Sequence, residues 1–353
     1  MVIVVGLARM VPLVFSALIG LAAHRFSARR VVGASLAAGA VVHAVVLVLA
    51  LADVLAVWHM GVVALVSGVS LAVDFTVRRP VLGSMVSPQL VGRAISLDFT
   101  ANTVARTLGP AATGAVLDGF GSPAVFVIGV GLYGIALFAL ARTDLSGVDA
   151  PSGNASWSAL REGYRFARGS RSLMSVVVTT IAMNLFVFPY RHFVPVIGTD
   201  ILGLSATRVG LLTAAEGVGM TLSSLGLALW VKPRQFVASL DIGMGLAAAG
   251  VLVFGLSTSV PISVVAVFAV GVGAAAFASM QPAIVVAESP ADLRSRVMGL
   301  IGTLIGLNPV GLLLLGGLAV AFAPPAAVVA VGSMGLGEVV LRSLRNVGKA
   351  QRS

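Results

Sequence analysis

"RRPVLGSMVSPQLVGRAISL", residues 78–97, lies between two long apolar runs, and its punctuation returns later in the chain. Pro80 and Ser87-Pro88 recur 202 residues on as Pro282 and Ser289-Pro290, within "MQPAIVVAESPADLRSRVMGL" at residues 280–300. In each copy an arginine follows just before the next apolar run. Two punctuation marks at one offset read as an internal repeat, the pattern of a chain built from two related halves.

The runs on either side of these marks set the class. Stretches of about 20 apolar residues, enough to cross roughly 30 Å of hydrocarbon as a helix, recur along the whole sequence. Eleven lie near residues 2–23, 31–52, 57–77, 94–117, 121–141, 173–198, 207–231, 236–256, 261–284, 297–319 and 322–341. With 58% hydrophobic residues, 10% charged ones and a mean hydropathy of +1.05, most of the chain has lipid as its solvent. The runs are continuously apolar and rich in Gly and Ala, without the alternation of membrane-barrel strands, so an all-α membrane bundle is expected. Small residues at helical spacing, such as Gly302 and Gly306, predict close helix packing.

The longest polar interval, residues 142–171, divides the runs into five before and six after. The expected organisation is therefore an N-terminal bundle at 1–141, a cytoplasmic linker at 142–171, a C-terminal bundle at 172–342 and a cytoplasmic tail at 343–353. Within the linker, Trp157 to Arg168 reads either as an interfacial helix with Trp157, Leu160 and Tyr164 on one face or as a solvated connector. The repeat offset places Val2 beside Leu204, which leaves the run 173–198 unmatched. Met1 to Ala23 has no basic start and leads straight into further spans, unlike a signal peptide. The expectation is the second helix of a twelve-helix design, in a truncated reading frame or an eleven-helix variant.

The formal charge of +10 is unevenly placed: on alternate-loop topology, nineteen of 23 basic residues fall on one side. Arg191 and Arg208 fall on the other, with Asp53, Asp118 and Asp200. This is the positive-inside pattern of a multi-pass protein of a bacterial-type inner (plasma) membrane, with its C-terminus cytoplasmic. No basic face with interleaved aromatics accumulates, which argues against nucleic acid. Cysteine is absent, the four histidines (His24, His43, His59 and His192) are scattered, and no Gly-rich phosphate loop ends in Gly-Lys-Ser/Thr. No metal, cofactor, ATP hydrolysis or enzymatic activity is expected.

Charges inside the apolar runs are few, and each costs roughly 2.5–3.5 kcal/mol at the bilayer centre unless paired or hydrated. Glu216 is the best-centred acid; burial and a neighbouring arginine act on its protonation in opposite senses, so it is the leading candidate for proton coupling. Arg106 lies near mid-depth just before Gly109-Pro110, where proline bends a helix and glycine admits a neighbour. It either holds an anionic substrate group or tunes an acid, or else anchors a helix contact. Arg9 either snorkels outward or faces a cavity. Asn184, Phe186, Phe188 and Tyr190 surround Pro189, with packing or substrate stacking as their alternatives. Asp74 and Arg78, spaced i to i+4, can pair on one helix face, with Asp98 at the same end.

The loop "GLAAHRFSARRVV" (residues 20–32) resembles the signature of the major facilitator superfamily between helices two and three. Gly20, Arg25, Arg29 and Arg30 match, and His24 stands where the family's acid is usual. "RTLGPAATG" (106–114) is similar to the antiporter motif, matching at Gly109, Pro110 and Gly114. "EGYRFARGSRSL", "NLFVFPYRHFVPVIGTDILG" and "LRSRVMGL" resemble the branch containing the enterobactin exporter and related efflux proteins. The resemblance implies a two-bundle fold in which Arg25, Arg29, Arg30, Asp74 and Arg78 form an inner gate, and the helix around Pro189 lines the cavity. It implies export of a small organic molecule by proton antiport, with an importer as runner-up and a non-transporting paralogue or sensor as the rival.

Overall fold

The computed structural model describes residue 8, residues 26–78, 81, 82, 85, 91–143 and 157–350. Residue 8 apart, the first apolar run lies outside the described residues, as do Arg9, the loop through Arg25, Pro80 and Ser87-Pro88. Among the described residues every regular element is helical. Among the described residues eight helical stretches are long and apolar enough to cross a membrane, and Trp58–Val73 is a shorter apolar one. By internal packing the chain falls into two compact units, residues 1–105 with 112–154, and residues 106–111 with 155–353.

In the first unit, α1 (Ala28–Leu51) and α2 (Val57–Val73) pack through Ala28, Val73, Val77 and Val81. Ser35 donates to Ser70 at 3.0 Å between them. α2 continues into a π-helical turn, Asp74–Arg78. The expected runs 94–117 and 121–141 both belong to one helical stretch, α3 (Val91–Arg142), whose one non-helical residue is Gly121 at φ 76°. Straight, its 52 residues would reach about 78 Å, more than twice the hydrocarbon thickness. Glycine supplies the left-handed backbone that divides it into two span-sized lengths.

In the second unit α4 (Trp157–Arg168) leads to α5 (Arg171–Ala182), whose N-cap Ser170 accepts from the Leu173 amide at 3.4 Å. The run 173–198, expected as one helix, departs from α-geometry after Ala182. A π-turn (Met183–Val187) and a 3-10 turn (Phe188–His192) precede α6 (Val194–Asp200). Pro189 and Pro195 explain the break, since neither can donate to the helical ladder. Then follow α7 (Ala206–Trp230), α8 (Phe236–Leu256) and α9 (Val260–Glu288). The run 297–319 is also broken: α10 (Ala291–Ile305) stops at Gly306, and α11 (Asn308–Phe322) restarts with Pro309 in its first turn. α12 (Pro324–Ala350) closes the unit.

α8 lies against α9 and α12, with Met244, Ala247, Val251, Phe254, Val267, Val270, Val328 and Val331 completely buried. In lipid such helices gain little from hydrophobic transfer, so contact rests on fit between small residues. The sequence pointed to Gly302 and Gly306 for that fit, and the structure places it elsewhere. A Cβ on Gly302 meets nothing within 4 Å among the described residues, and Gly306 caps α10. The close approaches are Gly219 to Phe268, Gly271 to the Glu216 carbonyl, and Gly250 to Ala266. The linker helix forms over its expected range. α4 buries Gly163 and Ala167, leaves Leu160 half-buried and Tyr164 exposed, and docks on α10 with Gly163 against the Arg296 carbonyl and Glu162 paired to Arg296.

Candidate functional site

Arg191 and Glu216 sit at matched distances from the tight turn between α6 and α7. Arg191 lies nine residues before Asp200 and Glu216 ten after Ala206, so both lie about 14 Å from that end at ~1.5 Å per residue, roughly half the thickness of a bilayer's hydrocarbon. The 3-10 turn carries Arg191 toward α7. There its Nε donates to Glu216 Oε1 at 2.7 Å, and its terminal nitrogen donates to the same oxygen. Tyr190, fully buried, donates its hydroxyl to Glu216 Oε2 at 2.9 Å. Both carboxylate oxygens are thereby engaged, and the charge has a partner at a depth where an unpaired one is costly.

The aromatic residues fix this pair. The Arg191 guanidinium lies 4.4 Å over the Phe188 ring, and Phe188 meets Phe277 edge-on at 5.7 Å. Tyr190 makes a similar edge contact with Phe254 at 5.9 Å. The two partners differ in access: 30% of the Arg191 side chain is exposed against 8% of Glu216. Glu216 is the counter-charge of Arg191 within this group.

Of the residues singled out in the sequence, Glu216, Tyr190 and Phe188 thus come together. Arg191, assigned there to an outer loop, is the cation among them. Its signal was available: in a helical hairpin, residues equidistant from the turn share a depth. Asn184 stands apart, buried and donating to the Thr180 carbonyl at 2.8 Å. Gly109, Pro110 and Gly114 lie in α3 with helical backbone throughout, and a Cβ on Gly109 meets nothing within 4 Å among the described residues. Arg106 lies on the same helix, its side chain outside the described residues, as are Arg9 and Arg25.

At the α2 end of the first unit, Arg78 pairs with Asp74 one turn back and donates to Asp98 at 2.7 Å. Partial burial opposes the Arg78 charge, but hydrogen bonds to Asp74 and Asp98 outweigh it and hold its pKa above the ordinary guanidinium value. Arg29 donates instead to the Ala141 carbonyl at 2.7 Å, at the C-terminal end of α3, and Arg30 is exposed.

A second cluster in the other unit had no counterpart in the sequence reading. Arg342 on α12 donates to Glu338 at 2.9 Å, Asp241 at 2.7 Å, Ser175 at 2.7 Å and Thr179 at 2.8 Å. Ser175 also donates to Asp241 at 2.9 Å. This ties α5, α8 and α12 together, while Glu338 Oε2 stays buried with no hydrogen-bond partner among the described residues.

Residues 2–311 match the Major Facilitator Superfamily. No curated protein matches the sequence. Among solved structures, the chain is similar to a POT family transporter in complex with 5-aminolevulinic acid at TM-score 0.70 and 12% identity, covering 97% of this chain and 86% of that one. It is similar to the nucleoside transporter NupG at TM-score 0.65 and 16% identity, covering 96% and 89%. The human organic anion transporter MFSD10 (TETRAN) gives TM-score 0.63 and 16% identity, covering 96% and 82%. At such identities the structural likeness speaks for the fold alone. The sequence match spans most of the chain and agrees with a multi-pass helical architecture, and the chain belongs to the Major Facilitator Superfamily.

Proposed function

We propose that this chain is a proton-coupled secondary transporter of small organic molecules, working by alternating access, with Glu216 as the proton carrier and Arg191 as the group that answers it. The observation that carries this reading is the Arg191–Glu216 pair at mid-depth, 2.7 Å from Nε to Oε1. Protonating Glu216 alone would strand the Arg191 charge, at a cost of about 1–3 kcal/mol once the partial exposure of that arginine is allowed for. A proton and an anionic substrate group entering together keep the site neutral. Such co-binding is symport, and an inward proton gradient then drives uptake.

This direction is opposite to the one implied by the efflux-branch resemblance. Export by antiport is the second reading, favoured by the Gly109-Pro110-Gly114 run, and it requires a substrate that replaces the proton at Glu216. In both readings the protein resides in a bacterial-type plasma membrane with its C-terminus cytoplasmic. The bundles before and after residues 142–171 then move as units, and Arg25, Arg29, Arg30, Asp74 and Arg78 gate the inner face.

The test uses purified protein in vesicles that enclose a pH-indicator dye. Small organic acids, amines and neutral aromatics are added outside, and protein-free vesicles give the permeation background. Acidification of the lumen above that background supports symport, and alkalinisation supports antiport. Glu216→Gln should abolish the signal in either case while inserting normally. Full proton flux in that variant removes Glu216 from the mechanism.

A further inference from the structure

We infer that the substrate class of this site is a planar aromatic acid. The inference rests on the reading of Arg191 and Glu216 as substrate and proton groups, and it adds what the neighbouring rings select. The Arg191 guanidinium carbon stands 4.4 Å from the Phe188 ring centroid, and Phe188 is itself held edge-on by Phe277 at 5.7 Å and 69°. Phe277 is 5% exposed, so this ring is part of the packed core and fixes the stack above it.

The accessible part of the site is cationic. Thirty per cent of the Arg191 side chain is open, at a depth where hydrocarbon would penalise an exposed guanidinium heavily. An open guanidinium at that depth is favoured only where water reaches it, so this opening is taken as the side from which a ligand arrives. A guanidinium offers a fork of N–H donors that matches a carboxylate in two parallel bonds, and a flat face on which an arene stacks.

An aromatic acid uses both features. Its carboxylate takes the N–H edge that Glu216 vacates on protonation, and its ring extends the Phe188–Phe277 array in offset or edge-on contact. A saturated acid of the same size keeps the first interaction and loses the second. An aromatic cation meets Arg191 with like charge and is excluded.

The experiment is calorimetric titration of the purified full-length protein in detergent with naphthoate, decalin carboxylate and naphthylmethylammonium. Naphthoate should bind about tenfold more tightly than its saturated counterpart, the scale of one aromatic contact, and the cation should not bind. Phe188→Leu should erase the preference while both acids still bind, and Arg191→Gln should lose both acids. Equal affinity for the two acids in the wild-type protein, tighter binding of the cation, or no binding of either acid overturns the inference without recourse to any variant. Repeating the naphthoate titration in buffers of different ionisation heat counts the protons taken up. Selective naphthoate binding without proton uptake leaves the aromatic-acid class standing and overturns Glu216 coupling. Proton uptake without aryl preference does the reverse.

Discussion

Gly311→Ala tests how tightly the proton site is held. Gly311 lies in the first turn of α11 against the unwound segment that precedes Phe188. A Cβ there would stand 2.5 Å from the Asn184 carbonyl oxygen and 2.7 Å from that of Leu185, whereas ordinary contact begins at 3.4 Å. The π-turn must therefore retreat by about 0.7–0.9 Å (3.4 − 2.7 and 3.4 − 2.5). Arg191 follows within two turns, and its 2.7 Å bond to Glu216 would stretch beyond the usual hydrogen-bond range if the shift is passed on whole. Overpacking costs about 1–3 kcal/mol, against which replacing glycine in a helix returns about 0.5–1 kcal/mol. Losing a hydrogen bond to a charged group costs about 1.5–3 kcal/mol, or roughly tenfold or more in a coupled rate. Thermal unfolding in detergent and dye-reported proton flux in vesicles measure the two effects. Gly302→Ala is the control, since a Cβ there meets nothing within 4 Å among the described residues. If Gly311→Ala matches that control in both assays, the backbone contact does not hold the site and the argument fails.

The packing sets the outcome of four further single variants. Arg342→Met removes the cation from Asp241 and Glu338; with side chains 17–30% exposed, the cost is discounted to about 1–3 kcal/mol, and adding Asp241→Asn should recover part of it in the same unfolding assay. Gly163→Val should lift α4 off the Arg296 carbonyl, 2.7 Å from a Cβ at that position, and speed tryptic cleavage at Arg161 and Arg165. Glu162→Gln should leave that cleavage rate unchanged and cost less than about 1 kcal/mol, because the pair it breaks is exposed. Arg78→Leu leaves Asp74 and Asp98 without the cation that joins them, a loss of about 1 kcal/mol after allowance for its exposure.

The helices were legible because hydrocarbon imposes a length and a composition that a linear scan can read. The runs 31–52, 207–231, 236–256 and 261–284 all reappear within a few residues of their expected bounds. Glu216 was legible for a similar reason: depth is counted along one helix. Azimuth is not. Arg342 enters the scan as one more inner-side positive charge, and nothing in its neighbours reveals that Asp241 and Ser175 face it from two other helices. Arg191 was misplaced because Pro189 was read within a continuous helix, whereas the π and 3-10 turns alter the residues per turn and swing the arginine inward. Gly302 and Gly306 matched a spacing rule, but their helix is broken at Gly306 and Gly302 has no described neighbour to receive. The linker helix was legible over Trp157–Arg168, but its contact with α10 through Gly163 was not, because a face that meets another helix leaves no mark in local composition.

The Arg342 cluster also has a meaning in time. Ribosomes deliver α5 first and α8 next, so Ser175, Thr179 and Asp241 enter the bilayer before the guanidinium that joins them has been translated. Until α12 arrives, the nascent second unit holds an acid near the membrane surface with no arginine against it. Insertion of the last helix is then a closing step rather than an addition.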